Sequence, residues 1–98
     1  MTLTVTFRRA ARIELLAAAA RYEIRRPNLG AQFIAEIERC VALAAEQPHA
    51  YAVVRKDIRR VTARRFPYSI YFRAEQHRIV VLAVFHGNRN PDVWQRRT

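Results

Sequence analysis

Serine occurs once in this chain, at Ser69, which removes the usual hydrolase nucleophile. Cysteine also occurs once, so no internal disulfide can form and no cysteine-based metal spacing exists. That residue, Cys40, falls among Ile37, Val41 and Ala44 at helical spacing, the place of a small buried hydrophobe. The two glycines, Gly30 and Gly87, cannot build a glycine-rich phosphate loop. Neither a metal nor a cofactor is expected. No apolar run approaches the roughly 18 residues of a membrane span, so no membrane contact is expected either. Arg8, Arg9 and Arg12 ahead of LLAAAA faintly mimic a secretory signal. Glu14 interrupts that run, however, and Tyr22, Glu23 and Arg25 follow without a cleavage-site pattern. The expectation is a mature protein that starts at Met1 and stays in the cytoplasm.

Lysine is scarce too: Lys56 stands alone among 18 basic residues, the rest being arginine. The net charge is +10. Residues 1–50 hold 7 basic and 5 acidic side chains, and residues 51–98 hold 11 and 3. The second half is therefore where an anionic partner is expected to dock. Arginine suits forked hydrogen bonds to phosphate or carboxylate. Apolar residues make up 51% of the chain, enough for one core, and 98 residues set the expectation of a single domain over 1–98.

Periodicity gives the order of elements. In LTVTF, residues 3–7, Leu3, Val5 and Phe7 alternate with threonines, a period of two that predicts a strand. Over residues 8–25, Ala11, Leu15, Ala18 and Tyr22 mark one helix face, with Leu16, Ala20 and Ile24 widening it. Pro27 ends this helix, and Asn28 is the expected N-cap of a second over residues 29–46. Three strands follow, over 57–66, 68–75 and 78–86, with a short loop at Glu75, Gln76 and His77. Arg59, Arg60, Arg64 and Arg65 alternate along the first of them, so two would lie on each face. The expected fold is α+β: a helical hairpin on a mainly antiparallel four-stranded sheet, in the order β-α-α-β-β-β.

The segments RRFPYSIYF and RIVVLAVFHGNRNPDVW resemble the RelE/ParE superfamily of toxins, most closely its ParE branch. The resemblance implies the toxin of a type II toxin–antitoxin system, of the kind linked to plasmid stabilisation. Its implied partners are a cognate antitoxin and DNA gyrase, with DNA met only indirectly through either. The enzymatic alternative is a RelE-type, ribosome-dependent mRNA endoribonuclease. A third reading is an inactive toxin-like regulatory partner.

The two main readings use the same residues differently. A ribonuclease needs a proton-transfer group, which His86 supplies by type, and cations for the phosphorane, which Arg59, Arg64 or Arg89 could supply. RelE-type members carry a titratable group in the C-terminal segment where this chain has Trp94, whose indole N–H is no acid or base at neutral pH. Binding without catalysis is thus the favoured use. The expected target-binding residues are Arg59, Arg64, Arg65, His86, Arg89, Trp94, Arg96 and Arg97, with no antitoxin-binding residue assigned.

Overall fold

The computed structural model describes residues 2–87. Strand β1 (Thr4–Phe7) leads into helices α1 (Arg9–Arg25) and α2 (Leu29–Glu46). A 3-10 turn at Pro48–Ala50 precedes β2 (Val53–Arg55), β3 (Ile58–Thr62), β4 (Tyr68–Ala74) and β5 (Arg78–His86). The sheet order is β1-β5-β4-β3-β2, with β1 parallel to β5 and every other pair antiparallel. The α+β class and the helical hairpin agree with the sequence expectation, but the strands number five rather than four. The additional strand, β2, is only three residues long and turns at Lys56, whose φ is 51°, without the Asn-Gly pair that marks such hairpins.

The basic strand is also shorter than its composition suggests. β3 stops at Thr62, so only Arg59 and Arg60 alternate across the sheet, while Arg64 and Arg65 belong to the β3–β4 connection. Two local causes end it. The Arg64 N–H donates to the Glu36 carboxylate at 2.6 Å instead of to a strand, and Arg65 takes a left-handed φ of 69°. Pro67 then contributes only its carbonyl, which accepts the Gly87 N–H at 2.7 Å and ties this connection to the end of β5.

Both helices lie on one face of the sheet. Ala11, Leu15, Ala18 and Ala19 of α1 and Phe33, Ile37, Cys40 and Ala44 of α2 pack with Ile70, Phe72, Ile79, Val81 and Val84. Ile58, Tyr71, Val80, Leu82, Ala83 and Phe85 form a second cluster on the other face. The change of parity within β5 comes from a β-bulge. Tyr71 pairs with Ala83 and Phe72 with Val81, leaving Leu82 as the extra residue. Before the bulge, odd-numbered residues face the helices; after it, even-numbered ones do. His86 is thereby turned toward α1 rather than away from it.

The helix hairpin depends on small residues and one carboxylate. A Cβ on Gly30 would stand 2.5 Å from the Ala19 carbonyl oxygen, so only glycine allows α2 to approach α1 this closely. Asn28 is the N-cap residue as expected, yet its φ is 73° and its side chain makes no capping bond. The cap comes from Glu23, whose two oxygens accept the Asn28 N–H at 2.8 Å and the Gly30 N–H at 3.0 Å. The expected widening of the α1 face is not realised: Leu16 is 54% and Ile24 86% exposed. Replacing Gly30 with alanine is expected to cost about 1–3 kcal/mol of folding free energy in chemical denaturation, because a backbone carbonyl must move. An unchanged midpoint would contradict the close approach.

Candidate functional site

Tyr68 and His86 are cross-strand partners where β4 begins and β5 ends. Their rings meet edge to face at 5.3 Å and 83°. Tyr68 is buried among Tyr22, Phe33 and Phe66, a cluster built from T-shaped and tilted contacts such as Phe33–Tyr68 at 4.9 Å and Tyr22–Phe66 at 5.0 Å. Its hydroxyl alone reaches outward and accepts a hydrogen bond from Arg21 Nη2 at 3.2 Å. Burial, then the neighbouring Tyr68, raises the Tyr22 phenol above its ordinary value, so Tyr22 stays neutral at physiological pH.

Two recesses open on either side of the Arg21–Tyr68–His86 line. The larger, about 420 Å³, adds Arg25 from α1 and Arg65, Phe66 and Pro67 from the β3–β4 connection. The smaller, about 300 Å³, adds Ile13, Glu14 and Ala17 from α1 and Val84 from β5. The first is cationic over an aromatic floor, and the second sets Glu14, Arg21 and His86 beside the aliphatic Ile13, Ala17 and Val84.

Two of the three guanidiniums of the larger recess are held over ring faces. Arg65 lies 5.1 Å from the Phe66 ring centroid and Arg25 5.9 Å from that of Tyr22. Arg65 also donates to Gln32 Oε1 at 2.9 Å. Among the described residues, the ion pairs involve Arg39, Arg73 and Arg78, so Arg21, Arg25 and Arg65 have no carboxylate partner. The nearby acids are engaged by backbone amides instead. Glu23 caps α2, Glu14 accepts the Val84 N–H at 3.0 Å, and Glu36 accepts the Arg64 N–H.

Glu36 also shows how firmly an acid is held. The Arg39 guanidinium at 2.7 Å, and then the Arg64 N–H, lower its pKa from 4.5 to about 2 against the opposing effect of burial. Cys40 donates to the same carboxylate at 3.6 Å, and burial, then the Glu36 charge, push its thiol up to about 11. Cys40 is therefore the inert core residue its spacing implies.

The expected site residues separate. Arg65 and His86 line the recess together. Arg59 lies elsewhere, donating to the Tyr51 carbonyl at 2.6 Å and meeting His49 Nδ1 at 3.2 Å. Arg64 is exposed on the α2 side, beside Glu36. Arg89, Trp94, Arg96 and Arg97 lie outside the described residues. Sequence reasoning missed Arg21, Arg25 and Glu14. It had assigned the helix to packing, and charge counts by half directed attention away from α1. The available clue was the i, i+4 pair of arginines bracketing Tyr22 near the end of the helix.

This geometry sits on a chain with a family match over most of its length. The family model for the ParE toxin of the type II toxin–antitoxin system parDE matches residues 5–91. The chain belongs to the ParE toxin family. Among solved structures, the toxin is similar to a chain of the chromosomal ParDE TA system from P. aeruginosa. The TM-score is 0.75 at 20% identity, covering 87% of this chain and 96% of that one, a likeness of fold. No curated protein sequence matches the toxin.

The Glu36 arrangement yields a pH test. Its pKa is depressed on folding, so its contribution is complete above pH 4.5 and is lost as pH falls toward about 2. Glu36→Gln is expected to be less stable at pH 7 by about 1–2 kcal/mol. The gap to the parent should close between those two values; a gap independent of pH would show that the charge contributes nothing.

Proposed function

We propose that this ParE-family toxin acts in the cytoplasm by binding DNA gyrase and trapping it on cleaved DNA, and that a cognate antitoxin neutralises it. DNA is then met only through gyrase or the antitoxin. The observation that carries this reading is the set of three guanidiniums, from Arg21, Arg25 and Arg65, that converge beside His86 with no carboxylate partner among the described residues. Unneutralised arginines fixed by hydrogen bonds and ring faces form a contact surface for an anionic partner, ordered before binding. His86 fits that use: its ring packs edge-on against Tyr68 at the rim. Arg89, Trp94, Arg96 and Arg97 would also serve target binding, and Arg59 and Arg64 would act at a distance through charge alone.

A ribonuclease is the second reading, and one observation favours it. Glu14 and His86 line the same recess as Arg21, which supplies a carboxylate, an imidazole and a cation in one place. Glu14 is, however, engaged by the Val84 N–H through one of its oxygens. Two assays separate the readings. Under the gyrase reading, purified toxin abolishes supercoiling or accumulates cleaved DNA, and Arg21→Ala with Arg65→Ala raises the concentration needed by about tenfold or more, some 1.4 kcal/mol. His86→Ala should leave that potency nearly unchanged. Rapid transcript cutting that disappears in His86→Ala, with gyrase unaffected, would reject gyrase as the target.

A further inference from the structure

The face of α1 turned away from the sheet carries Ile13, 56% exposed, Leu16, 54%, and Ile24, 86%. At about 100° per residue these fall, with the exposed Ala17 and Ala20, in one apolar stripe along most of the helix. We propose that this stripe is a self-association surface, on which α1 of a second copy of this chain packs antiparallel. The inference goes beyond the gyrase reading and uses no property of the target.

The charges flanking the stripe choose this occupant. Arg12 and Glu23 lie on one flank, about 20° apart around the helix axis, and Glu14 and Arg21 lie on the other at the same separation. Arg12 and Glu23 are equidistant from the point between Ala17 and Ala18, and so are Glu14 and Arg21. A two-fold axis through that point, perpendicular to the helix, sets Arg12 opposite Glu23 of the second copy. The same axis sets Glu14 opposite Arg21 of the second copy, and symmetry repeats both pairs. Within one chain neither arginine has an ion pair among the described residues: Arg12 lies over the Phe7 ring at 5.5 Å, and Arg21 donates to the Tyr68 hydroxyl. Glu14 and Glu23 accept backbone N–H groups, but a carboxylate has about four acceptor sites, which leaves room for a guanidinium.

The middle of the stripe suits contact between helices. Ala17 and Ala20 stand where the two axes cross, and small side chains there permit the lower end of the ~8–10 Å spacing of packed helices. Antiparallel packing also sets the start of each helix beside the end of the other, which opposes their dipoles favourably. The net charge of +10 resists association at long range, but charges more than about 8 Å apart are largely screened at physiological salt. The facing pairs on the flanks therefore decide the contact. An anionic lipid surface is the competing occupant, and Glu14 and Glu23 beside the stripe oppose it. One helix face makes a small interface, so the dimer is weak and concentration-dependent. Glu14, Ala17 and Arg21 line the smaller recess, so the dimer covers part of the site beside His86.

Sedimentation equilibrium of the whole toxin, free of any other protein, tests the association. A concentration-dependent dimer is expected. Leu16→Glu should abolish it, and Arg12→Glu, which sets like charges face to face, should weaken it by about tenfold or more. Arg60→Glu makes the same change in net charge on the opposite sheet face and should not weaken it. Mild oxidation reads the geometry. Ala17→Cys lies beside the two-fold axis and should give a disulfide-linked dimer, whereas Ile13→Cys should not, because antiparallel packing separates its two copies. The parent, whose Cys40 is buried, is the control. Circular dichroism confirms that each variant is folded, as expected for exposed positions. A monomer at every concentration, equal losses for Arg12→Glu and Arg60→Glu, or cross-linking through Ile13→Cys would each overturn the proposal. Capture by phosphatidylglycerol vesicles of a toxin that stays monomeric would name lipid as the occupant instead.

Discussion

With 8 acidic side chains against 18 basic ones, the carboxylates are too few to pair every guanidinium, and several of them are committed to backbone N–H groups. The fold makes that commitment repeatedly. Glu23 closes the turn between the helices, Glu14 pins α1 to β5, and Glu36 holds the β3–β4 connection against α2. Each of these bonds joins two elements of the fold. Amide donors near a helix start or a strand end need an acceptor, and a charged acceptor satisfies them more strongly than a neutral one. The consequence is electrostatic: among the described residues, Arg21, Arg25 and Arg65 are left without an ion-pair partner beside His86.

Position then turns surplus charge into a site. Close approach at Gly30 sets the end of α1 over the start of β4, which brings Arg21 and Arg25 to the aromatic cluster. The left-handed backbone at Arg65 turns its side chain back over Phe66. The bulge at Leu82 reverses the parity of β5 and delivers His86 to the same rim. Without that extra residue, His86 would face the sheet's other side, and the two recesses would lose one of the residues they share.

Much of the fold was legible because it follows periodicity. The bounds of α2 and β5, the loop after β4 and the burial of Cys40 all rest on patterns that water enforces along a single chain. The missed features depend on contacts between distant residues. Arginines in DIRRVTARRF look like one alternating strand until Glu36, more than 20 residues earlier, takes the Arg64 amide. Apolar residues throughout β5 hide a bulge, since neither face shows a polar residue to reveal the slip. Arg21 and Arg25 look like ordinary basic residues near a helix end until the sheet places Tyr68 beneath them. Half of the expected contact residues fall in Arg89, Trp94, Arg96 and Arg97, outside the described chain.

The central claim is that the arginines of the larger recess are uncompensated and that those elsewhere in an ion pair are not. Side-chain 15N–1H spectra of the arginine Nε groups, recorded during titration with glutarate, test it most directly. The account predicts saturable shifts at Arg21, Arg25 and Arg65, with Arg39 and Arg78, which already donate to Glu36 and Glu75, unmoved. Shifts of equal size across all the arginines, or larger ones at Arg39 and Arg78, would contradict it.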